Sequence, residues 1–191
     1  MGLNVLVTTG GHPFEEEPFL AMIDALPGID WQHAPVPGAR DYFRPERAGE
    51  FDAILCYEMQ GIEYRKPDPP KLVEPPADYA EGFRGMLDAG QGIVFLHHAV
   101  TGWPLWPLWA EVVGGRGRLW EKDGWTHPRG SGVIGWVKTA GASPIVYFQP
   151  GHGPSAYANA GFRRVVANAL AWVASDEAHR WAAEHATALA A

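Results

Sequence analysis

The sequence predicts a single α/β domain in which a mostly parallel sheet is covered by helices on both faces. Three observations carry that prediction. Short apolar runs alternate with amphipathic segments in βαβ order. The runs at Leu3 to Thr8, Phe51 to Tyr57, Ile93 to Leu96 and Ile145 to Phe148 are apolar nearly throughout, as strands buried on both faces must be. The 191 residues, 47% hydrophobic and 19% charged, suffice for one core and leave little material for a second.

The elements can be justified in chain order. Leu3 to Thr8 is the first strand, and after Gly10-Gly11 a helix is expected from about Pro13 to Leu26. Proline suits its first turn, and Glu15, Glu16 and Glu17 suit the positive end of its dipole. Ile29 to Ala34 reads as a shorter second strand and Phe51 to Tyr57 as the third. Tyr64 to Pro76 is a surface loop, because the run through Lys66, Pro67, Asp68, Pro69 and Pro70 suits neither a helix nor a strand interior. A helix from Asp78 to Asp88 stops at Gly90, before the most apolar strand, Ile93 to Leu96. The tryptophan-rich run Trp103 to Trp109 leads into a short helix ending at Gly114-Gly115, and Arg116 to Gly132 is glycine-rich and irregular. Val133 to Lys138 and Ile145 to Phe148 form a closing pair of strands joined by a turn over Ala140 to Pro144. Tyr157 to Ala174 is an amphipathic helix, with Phe162, Val165, Val166, Ala169, Leu170 and Val173 along one side. The alanine-rich tail from Asp176 is helical.

Four strands end in a group that can handle protons or bind a metal. VLVTTGGH ends at His12, AILCYE at Glu58, GIVFLHH at His97 and His98, and IVYFQPGH at His152. Side-by-side parallel strands would bring all four to the edge where open α/β sheets bind ligands. His12 follows Gly10 and Gly11, whose backbone freedom lets a ligand approach the main chain at Gly11; a histidine capping its own loop is the plainer alternative. Glu58 is either the site's carboxylate or the first solvated residue after its strand. The period of two along a strand points His97 and His98 to opposite faces. His98, nearer the turn, is therefore assigned to catalysis, and His97 is expected as a hydrogen-bonded neighbour bordering the binding site. His152 lies between Gly151 and Gly153, with room for a ligand. Trp103, Trp106 and Trp109, spaced by three, suit either the C–H faces of a sugar or the core. Tyr157, opening the next helix, completes the expected binding set.

The turn after Leu96 reads His97-His98-Ala99 and offers no serine or cysteine nucleophile. The single cysteine, Cys56, lies within a strand, where it behaves as a small buried hydrophobe, and it excludes an internal disulfide. Two chemistries stay open. His12, His98 and His152 could hold zinc or another divalent metal with one position left for water. Otherwise these histidines and Glu58 would work as general acid and base. Neither arrangement has a compact signature such as HExxH. Fifteen basic against twenty-two acidic residues give a formal charge of −7 with no basic cluster, which argues against nucleic acid and anionic membranes as partners. No apolar stretch approaches the ~20 residues that span a bilayer. With a strand pattern starting at Leu3, a cytoplasmic protein is expected. The expected partner is a small molecule, and a homo-oligomer is left open.

Three segments, VLVTTGGHPF, GIVFLHHAVTGWPLWPLWAEVVGGR and SGVIGWVKTAGASPIVYFQPGHGPSAY, together resemble the ThuA-like (trehalose utilisation) family of the class I glutamine amidotransferase-like superfamily. The resemblance runs from Asn4 to Ala174. It implies a flavodoxin-like, doubly wound sheet and a role in carbohydrate metabolism on a sugar or keto-glycoside. Where the amidotransferases carry a catalytic cysteine and its histidine partner, this chain has His97-His98 and His152, so the resemblance implies no glutaminase activity. A non-catalytic sugar-binding or regulatory protein on the same fold is the alternative reading.

One departure from the family stands out. Its members carry a longer segment, including an Asp-Glu pair near the site, between the positions of Gly114 to Arg116 and the WTHP stretch at Trp125. Here Gly117 to Gly124 alone join them. Either that lobe is absent or the chain lacks a segment at a join near Glu121 to Gly124. An intact mass of 20.9 kDa is expected for a true deletion, and a heavier purified protein would establish a missing segment.

Overall fold

The computed structural model describes residues 2–65, 68–115, 133–186 and 188–189. The irregular stretch Arg116 to Gly132, with the expected join at 117–124 and Trp125, lies outside the described residues, as do Lys66 and Pro67.

The strands are β1 (Leu3–Gly10), β2 (Ile29–Pro35), β3 (Ala53–Glu58), β4 (Ile62–Glu63), β5 (Lys71–Leu72), β6 (Ile93–Leu96), β7 (Gly135–Ala140) and β8 (Ser143–Phe148). The helices are α1 (Glu16–Asp24), α2 (Ala77–Asp88), α3 (Pro107–Val113), α4 (Pro154–Tyr157), α5 (Ala160–Val173) and α6 (Asp176–Glu184). Six strands form one sheet in the order β2-β1-β3-β6-β8-β7, all parallel except the edge strand β7. The chain runs from β1 outward to β2 and then returns past it to β3, so strand order reverses between β1 and β3. Crevices open at such a reversal, beyond the carboxyl ends of the strands.

Alternation along each strand assigns two cores. On one face Val5, Val7, Leu55, Tyr57, Val94 and Leu96 pack under α1 and α5, through Phe19, Met22 and Ile23 and through Val166, Leu170 and Val173. On the other, Leu6, Ile54, Cys56, Phe95 and Tyr147 pack under α2 and α3, through Tyr79, Phe83 and Met86 and through Leu108, Trp109 and Val112. Both faces are thus covered, which is why the central strands lack an inside-outside pattern.

Several expected boundaries move for local reasons. α1 begins at Glu16 rather than Pro13, because Gly10 and Gly11 turn the chain with φ of +112° and +77° and Glu15 is still extended. The helix expected over Tyr157 to Ala174 starts at Ala160: the Asn159 side chain accepts from the Phe162 amide as its N-cap, and Tyr157 instead ends the separate helix α4. The proline-rich loop is pinned at its base, where Ile62 and Glu63 pair antiparallel with Leu72 and Lys71. β7 starts at Gly135 rather than Val133, and Gly141-Ala142 joins it to β8 as a two-residue turn, Gly141 having φ +57°. Between β2 and β3 the connection has no α-helix, only two 3₁₀ turns at Gly38–Tyr42 and Pro45–Arg47.

α2 lies so close to the link between these two turns that a Cβ on Gly82 would meet the Phe43 carbonyl oxygen at 2.4 Å. Alanine favours a helix over glycine by about 1 kcal/mol, but pushing a main-chain carbonyl out of a packed interface costs about 1–3 kcal/mol. Gly82→Ala is therefore expected to destabilise the protein by up to about 2 kcal/mol in urea denaturation, against its helix propensity.

Candidate active site

The site is built on the turn that follows β6. His97 is the first residue after the strand and has φ +48°, a left-handed conformation uncommon outside glycine. Residues His97–Thr101 then coil into a 3₁₀ turn whose carbonyls are tied down one after another. The Tyr147 hydroxyl donates to the His97 carbonyl (3.0 Å), the Thr101 hydroxyl to that of His98 (2.6 Å), and the Trp109 indole N–H to that of Ala99 (2.7 Å). Because the strand ends at Leu96, the alternation expected for the histidine pair does not apply. Both rings reach the site, their centroids 3.8 Å apart.

Four imidazoles meet there, from the loops after β1, β6 and β8. His12 lies 4.4 Å from His98, and His152 lies 5.0 Å from His97 and 5.4 Å from His98, all between centroids. The His97 Nε2 is 2.9 Å from the His152 Nδ1, while its own Nδ1 donates to the Gln149 carbonyl at 2.7 Å. The His12 Nδ1 faces the Gly10 carbonyl at 3.3 Å. Desolvation pushes His98 down to about 3, helped by its three imidazole neighbours, and it also lowers His12 and His97. His12, His97 and His98 are therefore held neutral near pH 7. Beneath it, Tyr57 packs edge-on to His12 (5.2 Å), donates to the Gly151 carbonyl (2.9 Å) and shares a 2.9 Å hydrogen bond with the Tyr157 hydroxyl. Burial raises the Tyr57 phenol far above its ordinary range, so it stays protonated.

The three residues that bring a ring nitrogen within 4.8 Å of one another are His97, His98 and His152, not His12, His98 and His152 as expected from the sequence. His97 enters the set because of its left-handed backbone. Tyr57 was missed in the sequence; its signal is the phase of β3, which puts Leu55 and Tyr57 on the face that carries the histidines.

Glu58 does not join them. It is fully buried on the opposite face of β3, one residue out of phase with Tyr57. Its carboxylate accepts from Gln60, from the Thr8 hydroxyl (3.3 Å) and from the Cys56 thiol (3.4 Å), and the Arg40 Nε donates to Gln60 at 2.6 Å. Burial raises the carboxyl to about 7, only partly offset by those donors and by the Arg40 charge. The same burial raises Cys56 well above the thiol range. Neither expectation for Glu58, a partner of the histidines or a solvated strand end, describes this chamber.

The other expected binding residues have packing roles. Trp103 is 1% exposed, lies under the Arg40 guanidinium at 5.3 Å and packs on Tyr79 at 5.6 Å. Trp106, half-buried, packs on Tyr79 and Phe83, and Trp109 braces the 3₁₀ turn. Of the two readings of the tryptophans, the core one describes them. Tyr157, 2% exposed, and buried Gly151 support Tyr57 from below. Gly11 is exposed, and its φ of +77° and close approach to Met59, whose carbonyl oxygen would lie 2.2 Å from a Cβ, explain the glycine without a ligand.

Comparison with solved structures identifies the fold. A ThuA-like protein from Parabacteroides merdae ATCC 43184 superimposes with a TM-score of 0.58 at 12% identity, over 92% of this chain and 91% of its own. One from Bacteroides uniformis ATCC 8492 gives 0.55 at 15% identity, over 91% and 92%. A cytoplasmic protein of Salmonella typhimurium LT2 gives 0.52 at 13% identity, over 90% and 99%. No protein-family model and no curated protein matches the chain. Among the described residues no helix is long and apolar enough to cross a membrane. The chain has the α/β fold of ThuA-like proteins.

Glu58 makes stability depend on pH. Its folded value of about 7 lies above the ordinary 4.5, so the native state holds a proton that the unfolded chain has released between those values. The cost of ionising it is absent below pH 4.5, grows as pH rises and is complete above about 7, where it reaches roughly 3 kcal/mol. Glu58→Gln is expected to be more stable than wild type at pH 8, with the difference vanishing at pH 4, in urea denaturation at both values.

Proposed function

We propose that the chain is a ThuA-like protein of carbohydrate metabolism that transforms a sugar or keto-glycoside at the four-histidine pocket, without amidotransferase activity. The observation that carries this reading is the fixed tautomer of His12. A carbonyl only accepts, so the Gly10 oxygen holds the ring proton on Nδ1 and leaves Nε2 with a free lone pair. That Nε2 is buried and has no partner among the described residues. A neutral imidazole in this state is a general base for a hydroxyl proton or a proton next to a keto group.

His97, His98 and His152 face His12 across the pocket and bind the reacting oxygen. Tyr57 positions His12 from beneath. Glu58, closed off on the other side of β3, takes no part in proton transfer. The elbow position that holds the nucleophile in amidotransferases is filled by His97-His98, and the one thiol of the chain is buried in β3, which supports the absence of glutaminase chemistry. Likeness in fold to two ThuA-like proteins supports the family reading, and the three sequence segments support it independently.

A panel of keto-disaccharides and their parent glycosides, followed by chromatography, tests the proposal. Wild type is expected to consume at least one keto-glycoside, with no ammonia released from glutamine. His12→Ala is expected to lower kcat by about 10²-fold or more, the usual contribution of a positioned base. Saturable binding with no turnover of any compound would instead establish the non-catalytic, sugar-binding alternative.

A further inference from the structure

The His97 Nδ1 gives its proton to the Gln149 carbonyl at 2.7 Å, so its Nε2 presents a lone pair toward the His152 Nδ1, 2.9 Å away. The His98 Nδ1 is buried without a hydrogen-bond partner among the described residues. Ring nitrogens of His97 and His98, from the turn after β6, and of His152, from the loop after β8, thus converge. A buried ring nitrogen without a partner is costly, at about 1–3 kcal/mol, unless something binds it.

We propose that His97, through Nε2, together with His98 and His152 holds a divalent cation of the zinc class. Each of the three offers a ring nitrogen within 4.8 Å of the other two. Tetrahedral ligands at zinc–nitrogen distances of about 2.0–2.1 Å stand about 3.4 Å apart, so His97 Nε2 and His152 Nδ1, 2.9 Å apart, must separate slightly to admit the ion. His152 can make that adjustment: it is exposed and lies between Gly151 and Gly153. Gln149 acts as the orienting partner, since metal-bound histidines commonly donate their second ring N–H to a carbonyl that fixes the tautomer. All-imidazole donors suit zinc, copper or nickel and not calcium or magnesium. Three protein ligands leave a fourth position for water or a substrate oxygen. His12 stays outside the set, facing it.

Metal binding is measured without any sugar, so it succeeds or fails independently of the proposed function. The full-length protein is stripped with a chelator and titrated with zinc by calorimetry. Cobalt(II) absorption, read on wild type alone, reports a nitrogen-rich four-coordinate site without needing a variant to fold. One equivalent of zinc is expected to bind. His97→Ala, His98→Ala and His152→Ala are each expected to weaken binding tenfold or more, with His12→Ala within threefold of wild type. Absence of zinc uptake, a cobalt spectrum of a six-coordinate aqua ion, unchanged affinity in two of the three variants, or an equal loss in His12→Ala would each overturn the assignment.

Discussion

The turn after β6 is the constraint on which the site depends. A parallel strand that ends in the middle of a sheet must hand its chain to the next element without leaving main-chain oxygens unpaired in a dry crevice. Here the reversal is made by a left-handed histidine rather than glycine, at a conformational cost of about 1–3 kcal/mol. Three side chains offset it by donating to consecutive carbonyls, Tyr147 from the neighbouring strand, Thr101 from within the turn and Trp109 from α3. Tyr147 is itself stacked on Trp136 at 4.4 Å, and the Trp136 indole donates to the Val113 carbonyl at the end of α3. Strand, turn and helix are thereby locked to one another, and His97 and His98 are aimed by the whole arrangement.

The alternation of β3 makes a second division. Tyr57 and Glu58 are neighbours in the chain, yet one supports the histidines and the other lies in a closed polar chamber with Arg40 and Gln60. The two centres use opposite means to handle polar groups away from water. In the chamber a carboxyl is surrounded by donors and its proton is retained by burial. In the histidine cluster main-chain carbonyls fix the tautomers of His12 and His97 and leave their Nε2 lone pairs to accept, which makes that side receptive to a cation or to a substrate proton.

Much of the fold was legible in the sequence. The strands β1, β3, β6 and β8 have apolar runs long enough to be read as buried, and His12, His97, His98 and His152 stand where such strands end. Legibility stopped where one side chain decides an outcome. Asn159 moves the start of an amphipathic helix read from Tyr157 to Ala160, and the prolines and glycines between β2 and β3 leave only 3₁₀ turns. The tryptophan run reads equally as a sugar platform or as core, because spacing alone does not say which layer covers it.

The sequence by itself determined the fold class, the edge of the sheet that carries the histidines and the lack of a nucleophile at the elbow. These depend on hydrophobic pattern and residue identity, which are local. Only the tertiary structure decided that His97 joins the cluster while Glu58 leaves it. The first depends on one backbone angle imposed by the Tyr147, Thr101 and Trp109 brace, and the second on which face of β3 lies beneath α1 and α5. The brace needs Tyr147, 50 residues beyond His97, as well as the nearby Thr101 and Trp109, and the helices over β3 lie far from it in the chain, so no pattern within a single segment contains that information.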